Sequence, residues 1–174
     1  MLGAEKGWGM RIRSIDENHC LASHRNVALL VWGKETLAPA VESARKALLE
    51  LGKRSPAGIG LFIIVEEHSQ LPAAGVRKAL AGLLSDSGSH VKRSLVVQEG
   101  HGFAAAAIRG VVTGLMLLAR PSSPHHVFDT VDAAAGWLVT GLPPDEGTVV
   151  GRTELLEAVA ELRSKFDAQR RSRG

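Results

Sequence analysis

The 174-residue sequence has one cysteine, Cys20, no tyrosine and an aromatic content of only 4%. A single thiol excludes an intrachain disulfide and disfavours zinc sites built from thiolates. Scarce aromatic residues disfavour modules that stack nucleic-acid bases on aromatic side chains. These absences predict a cytoplasmic domain that binds no nucleic acid, in which Cys20 is a buried, unreactive residue of a strand.

Long apolar runs are also scarce. The first ten residues contain no apolar segment of the kind found in signal peptides. The longest apolar stretch, residues 103–119, contains Arg109 and falls short of the ~20 apolar residues that span a bilayer. It therefore predicts no membrane insertion but a buried helix, covered in part by the C-terminal helix or a second subunit. Its Gly110 and Gly114 form a G-x-x-x-G pattern, which allows close packing onto the sheet or a neighbour.

Charge is unevenly distributed along the chain. Residues 163–174 carry five basic side chains and one acidic one, whereas the rest of the chain has 16 basic and 17 acidic groups. The body of the protein is therefore expected to be nearly neutral. The basic C-terminus is expected to be a solvated, mobile tail that could touch acidic partners.

Short apolar runs alternate with segments in which apolar residues recur every three or four positions. The runs predict strands at residues 10–15, 20–23, 26–32, 60–65, 91–98 and 127–128. The periodic segments predict helices over residues 37–51, 72–84, 103–119 and 131–138, with Gly52 ending the first, Pro72 in the first turn of the second, and Asp129 or Thr130 capping the fourth. This order predicts an α/β fold with a mostly parallel sheet, flanking helices and an antiparallel N-terminal edge hairpin.

The domain organisation follows from the Pro/Gly-rich segment near the C-terminus. We predict a leader of residues 1–9, an α/β domain of residues 10–140, a linker of residues 141–151, and a C-terminal helix with the basic tail over residues 152–174. Thr153 is expected to cap this helix. Its apolar residues form one seam: Leu155, Val159, Leu162 and Phe166. The seam either docks onto the domain or binds a second copy or another protein partner.

The order of a leading hairpin followed by alternating helices and strands over residues 10–140 resembles the STAS domain, the fold of bacterial anti-sigma-factor antagonists. The resemblance implies a regulatory or scaffolding module that acts through protein–protein contacts and has no enzymatic activity. In the antagonists a phosphorylatable serine follows the third strand, and Ser69 stands at the corresponding place, without the family's Asp-Ser pair. The nearby carboxylates of Glu66 and Glu67 would repel a phosphate, so a simple helix-capping serine is the alternative. The loop is nevertheless a candidate interaction surface: Glu66, Glu67, His68, Ser69 and Gln70.

Four polar residues are candidates for a ligand or metal site. Glu67, His68, Glu99 and His101 are expected near the carboxyl ends of the strands, where open parallel sheets bind ligands, but their spacing matches no metal-ligand motif. We therefore predict no metal, no cofactor and no catalytic residue. Residues 100–102 predict a strand-to-helix turn, and residues 125–126 predict surface histidines at the opposite edge. The alternative function is binding of a small apolar or anionic ligand between the sheet and the long helix.

Overall fold

The computed structural model describes residues 9–86 and 89–173; the predicted leader lies almost wholly outside the described residues. Strands and helices follow one another in the predicted order. The elements are β1 (Arg11–Ile15), β2 (His19–His24), β3 (Val27–Trp32), α1 (Ala38–Arg54), β4 (Ile59–Val65), α2 (Ala74–Asp86), β5 (Val91–Gln98), α3 (Gly102–Ala119), β6 (His125–Phe128), α4 (Val131–Val139) and α5 (Arg152–Arg171).

The strands form one mixed sheet in the order β1-β2-β3-β4-β5-β6. The β1-β2 and β2-β3 pairs are antiparallel, and β3 through β6 are parallel. The predicted α/β fold with an antiparallel N-terminal hairpin is therefore confirmed. Because each parallel strand lies beside the one before it and crossovers are right-handed, α1, α2 and α3 share one face of the sheet. The other face is covered by α4 and α5.

The turn between β2 and β3 holds two distant segments of the chain by hydrogen bonds. It contains only Arg25, in the left-handed conformation at φ 49°, and Asn26. The buried Asn26 amide donates hydrogen bonds to the carbonyls of Gly58 and Pro143, both at 3.1 Å. The start of β4 and the segment leading to α5 are thus tied to one tight turn.

Several predicted boundaries shift because of packing. Helix α1 does not end at Gly52 but continues to Arg54. The glycine makes room for His90 instead of ending the helix, because a Cβ at this position would stand 2.5 Å from the His90 ring. Helix α2 begins at Ala74, two residues after Pro72. The cap of α4 is Thr130, as predicted, whose hydroxyl accepts from the Ala133 N–H at 3.3 Å.

The C-terminal helix belongs to the core of the domain. Its seam residues Leu155, Val159, Leu162 and Phe166 are at most 2% exposed and pack with the strands and α4. The first of the two alternatives, docking within the same chain, describes this arrangement, so these four side chains present no surface to a partner here. The cap of α5 is Gly151 rather than Thr153, and the Glu154 carboxylate accepts from the Gly151 N–H.

Candidate functional site

The carboxyl ends of β3, β4 and β5 meet at one edge of the sheet and border a cleft of about 560 Å³. The predicted interaction loop, residues 66–70, lies at this edge, with Glu66, Glu67 and His68 lining the cleft. Helix α5 also contributes side chains to this cleft. Arg163, Arg170 and Arg173 of the predicted mobile tail line the same cleft. The tail prediction is therefore wrong: the chain is helical to Arg171 and its arginines face the strand ends.

Two arginines of α5 neutralise the carboxylates of this edge. Arg170 donates to both oxygens of Glu66, at 2.7 and 3.3 Å. Arg163 makes a two-pronged pair with Glu99, one prong at 2.9 Å, and stands 3.9 Å from Glu66. The hydrogen bond to Glu99 raises the pKa of Arg163 above its ordinary value, against the opposing effect of burial. Glu66 and Glu99 are thereby engaged as ion-pair partners of the same chain.

The histidines and glutamates considered as metal ligands do not converge. Among the described residues no three His, Cys, Asp or Glu side chains are grouped so as to hold a metal ion. Glu99 is held by Arg163, Glu67 packs over the backbone of Gly100, and His101 is exposed at the start of α3. The positive φ of Gly100, 90°, and the nearby Glu67 side chain explain the glycine at this turn.

The Ser69 hydroxyl faces inward. It donates to the carbonyl of Trp32 at 3.0 Å and also contacts the carbonyl of Gly33. Its backbone N–H donates to the Glu66 carbonyl at 3.1 Å, and the Gln70 N–H donates to the Lys34 carbonyl at 2.7 Å. Ser69 therefore fastens the loop to the end of β3; it does not cap α2, which begins at Ala74.

Helix α3 has a second, unpartnered face. Its inner face is buried against the sheet, whereas Phe103 is 91% exposed, Leu117 73% and Leu118 74%. The expectation that the C-terminal helix covers part of α3 is wrong, because α5 lies on the other side of the sheet; the alternative cover, a second subunit, stays a prediction. By length and composition α3 is the one candidate membrane span among the described residues, with 28% of its residues buried.

The outer face of α3 carries little charge. Arg109 is the only ionisable residue within the helix, and it pairs with Asp129 of the same chain. The Thr113 hydroxyl donates to the Arg109 carbonyl at 2.9 Å. A Cβ added at Gly110 or Gly114 would meet no atom within 4 Å, so the backbone is open to close approach. We call this surface, residues 103, 106, 107, 110, 113, 114, 117 and 118, the α3 face.

A small apolar cavity lies between α2, α3 and the sheet. Its volume is about 70 Å³, and its walls include Trp32, Leu83, Val112 and Leu115. Three polar residues stand at its lining, Thr36, Ser69 and Gln70. This is the place where the sequence predicted a small ligand. An apolar cavity of ~150 Å³ can bind benzene, so this smaller one suits a shorter apolar group.

Cys20 lies in a strand as predicted, but of the two histidines predicted at the surface only His126 is exposed, since the Nε2 of His125 is buried. Cys20 is fully buried, and burial, reinforced by Asp16, raises the pKa of its thiol to about 12. His125 and His126 occupy the edge strand β6 and point to opposite sides: His125 contacts the Ser94 hydroxyl at 2.8 Å, and His126 stacks near Trp137.

The sequence reasoning missed two features of this geometry. The ion pairs between α5 and the strand ends carry no local signal, because their partners stand up to 104 positions apart. The α3 face does have a local sequence signal, namely large residues at its two ends and small residues between them. No family model, curated protein or solved structure shows significant similarity to this chain.

Proposed function

We propose that this chain is a non-enzymatic regulatory or scaffolding module that acts through protein–protein interaction, and that the α3 face is its binding surface. The observation that carries the proposal is the exposure of Phe103, Leu117 and Leu118 on one neutral helix face. Large apolar side chains left in water are costly, at ~1.5 to 3 kcal/mol each relative to burial. Contiguous patches of this kind mark interaction sites.

The shape of the α3 face favours a protein over a lipid surface. Helices that lie in a membrane interface combine a large apolar face with a polar face rich in lysine and arginine. The inner face of α3 is instead buried against its own sheet, and the middle of its outer face is built from Ala106, Ala107, Gly110 and Gly114. Such small residues offer little apolar area to lipid, but they form a shallow groove into which side chains of another helix can fit.

The carboxyl edge of the sheet supports the same choice. Glu66 and Glu99 are paired to Arg170 and Arg163, and Ser69 is tied to backbone carbonyls. Three of the polar groups at this edge, Glu66, Glu99 and Ser69, are therefore held by partners within the chain. The loop of residues 66–70 helps to hold α5 in place and leaves the partner surface to α3.

Photo-crosslinking in the producing cells tests the proposal. A benzophenone amino acid replaces Phe103, and a matched control places it at Ala160, an exposed position of α5 on the other side of the sheet. We expect a protein adduct from position 103 and none from position 160. Adducts with lipid alone, or equal labelling at both positions, would contradict the proposed function.

The small cavity favours a second candidate function, binding of a short apolar group beneath α2 and α3. Its ~70 Å³ and its few polar lining residues suit a tail of a few carbon atoms. Val112→Trp should fill the cavity. If ligand binding is the function, a short alkanol should raise the melting temperature of the natural chain and leave that of the variant unchanged; equal shifts would exclude this site.

A further inference from the structure

We infer that the partner of the α3 face is a second copy of this chain, whose own α3 packs antiparallel to the first about a two-fold axis at Gly110. The inference rests on the proposed function and names the partner of its surface.

The spacing of the α3 face is that of a helix–helix seam. Phe103, Ala107, Gly110, Gly114 and Leu117 follow one another at intervals of four, three, four and three residues. This is the heptad spacing by which two helices keep contact along their length. The inner face of α3 already uses a different set of residues to pack on the sheet, so the seam is free for a second helix.

Large and small residues of the α3 face are placed nearly symmetrically about Gly110. Phe103 and Leu117 stand seven residues to either side, and Ala106 and Gly114 stand four to either side. In a two-fold interface, residue i of one subunit contacts residue j of the other and the reverse contact also forms. An antiparallel pair therefore places Phe103 against Leu117 of the partner subunit, while glycine meets glycine at the axis.

Charge also fits a second copy. The only ionisable residue of α3, Arg109, is paired with Asp129 of its own chain. Two copies can approach without bringing unpaired like charges together at the seam. A partner that used charged side chains for recognition would find no complementary group there.

The available area is sufficient for a weak, specific dimer. Phe103, Leu117 and Leu118 together expose roughly 400 Å² of apolar surface, since each side chain offers on the order of 150 to 200 Å². Counting both copies and the small residues between, the contact removes about 1,000 Å² from water, which is near the lower limit of specific interfaces. Interfaces near this limit are generally weak, so the dimer must be measured at high protein concentration.

The first measurement is the light-scattering mass of the full chain at ~100 µM, chosen because small interfaces are weak. We expect twice the 18.5 kDa of one chain. The diagnostic variant is Gly110→Leu. Within one chain the new side chain meets only open space and a better helix former replaces glycine, so the monomer stays folded. At a two-fold axis the same side chain blocks close approach and raises the dissociation constant at least tenfold.

Ala104→Leu is the matched control, because it adds the same side chain at an exposed position of α3 outside the α3 face. Its dissociation constant should remain that of the natural chain. Direction is tested by mixing Phe103→Cys with Leu117→Cys under oxidation: the mixed disulfide forms in an antiparallel pair, and Cys20 is buried and gives no background.

Two results would overturn the inference: a mass of 18.5 kDa at ~100 µM, the concentration chosen for a weak interface, or a Gly110→Leu dimer as tight as that of the natural chain. A monomeric chain that still crosslinks to a different protein from position 103 refutes the second copy and keeps the proposed function. Absence of any protein adduct at position 103 refutes the proposed function itself.

Discussion

Replacement of Phe166 by alanine measures how much the docked α5 contributes to the stability of the domain. Phe166 is fully buried, and its ring edge reaches Gly33 so closely that a Cβ there would stand 3.0 Å from the Phe166 Cζ. Gly33 has no side chain with which to fill the space left by the ring. We therefore expect the full cost of a Phe→Ala change in a rigid core, about 4 kcal/mol.

A second contact adds to this loss. The Arg170 guanidinium lies 4.1 Å from the centre of the Phe166 ring, and a cation–π contact of this kind contributes ~0.5 to 1 kcal/mol. Arg170 also holds Glu66, so loss of the ring loosens one anchor of the strand-end ion pairs. The total approaches the lower part of the ~5 to 15 kcal/mol by which domains are stable.

The assay is urea unfolding of the full chain followed by far-ultraviolet circular dichroism. With a denaturant dependence of ~2 kcal/mol per molar urea, the midpoint should fall by about 2 M. Lys165→Ala is the control: Lys165 is an exposed neighbour on the same helix turn, paired with Glu161 at 3.5 Å, and should change the midpoint little. A Phe166→Ala loss below ~1 kcal/mol, no larger than an ordinary surface change, would refute the docking of α5 in solution.

Three further predictions concern individual polar groups. Ser69→Ala should lower the free energy of unfolding by about 1 kcal/mol, the value of one hydrogen bond. Ser69→Glu should lower it several times more, because the new carboxylate would face the carbonyls of Trp32 and Gly33. Equal unfolding midpoints for the two variants would contradict this. Burial and the nearby His126 lower the pKa of His125 to about 4. The free energy of unfolding should therefore decrease by up to about 3 kcal/mol as pH falls from ~6.5 to 4. Urea unfolding at each pH should show a smaller decrease in His125→Asn. Glu154→Gln should cost ~1 to 2 kcal/mol at pH 7 through its bonds to His24 and Arg25, and a midpoint identical to that of the natural chain would exclude a stabilising role.

The sign of the Glu154 effect follows from its surroundings. Burial raises the pKa of this carboxyl, but the hydrogen bonds from His24, Arg25 and the Gly151 N–H together outweigh burial, so the pKa lies below its ordinary value. The carboxylate therefore stabilises the fold above its unfolded-state pKa. That stabilisation is lost as pH falls through the folded-state value.

The type of each central element could be predicted from periodicity, because burial on both faces leaves a continuous apolar run. Residues 91–98 illustrate this, since the predicted and observed bounds of β5 coincide. Gly52 illustrates the limit. A glycine near a helix end is ordinarily a stop signal, but here His90 occupies the space a side chain would need, and that contact comes from a distant part of the chain.

The absence of long-range contacts from a sequence pattern also explains what was mispredicted for the C-terminal tail and for the outer side of α3. Counting charges in residues 163–174 predicts a solvated tail, because the count contains no information on where Glu66 and Glu99 lie in the fold. Counting apolar residues in α3 predicts burial, because hydropathy alone does not say which side of a helix meets the sheet. In both cases the missing information is which way the side chains point relative to the sheet, and this depends on tertiary packing.

These two findings together favour the α3 face as the proposed interaction surface. Open parallel sheets ordinarily bind ligands at the carboxyl ends of their strands. In this protein α5 crosses the sheet to that edge, and its arginines engage Glu66 and Glu99. The face of the sheet that α5 covers is thereby closed as well. The proposed interaction surface lies instead on the helix layer of the other face, where α3 exposes apolar side chains that no residue of the described chain covers.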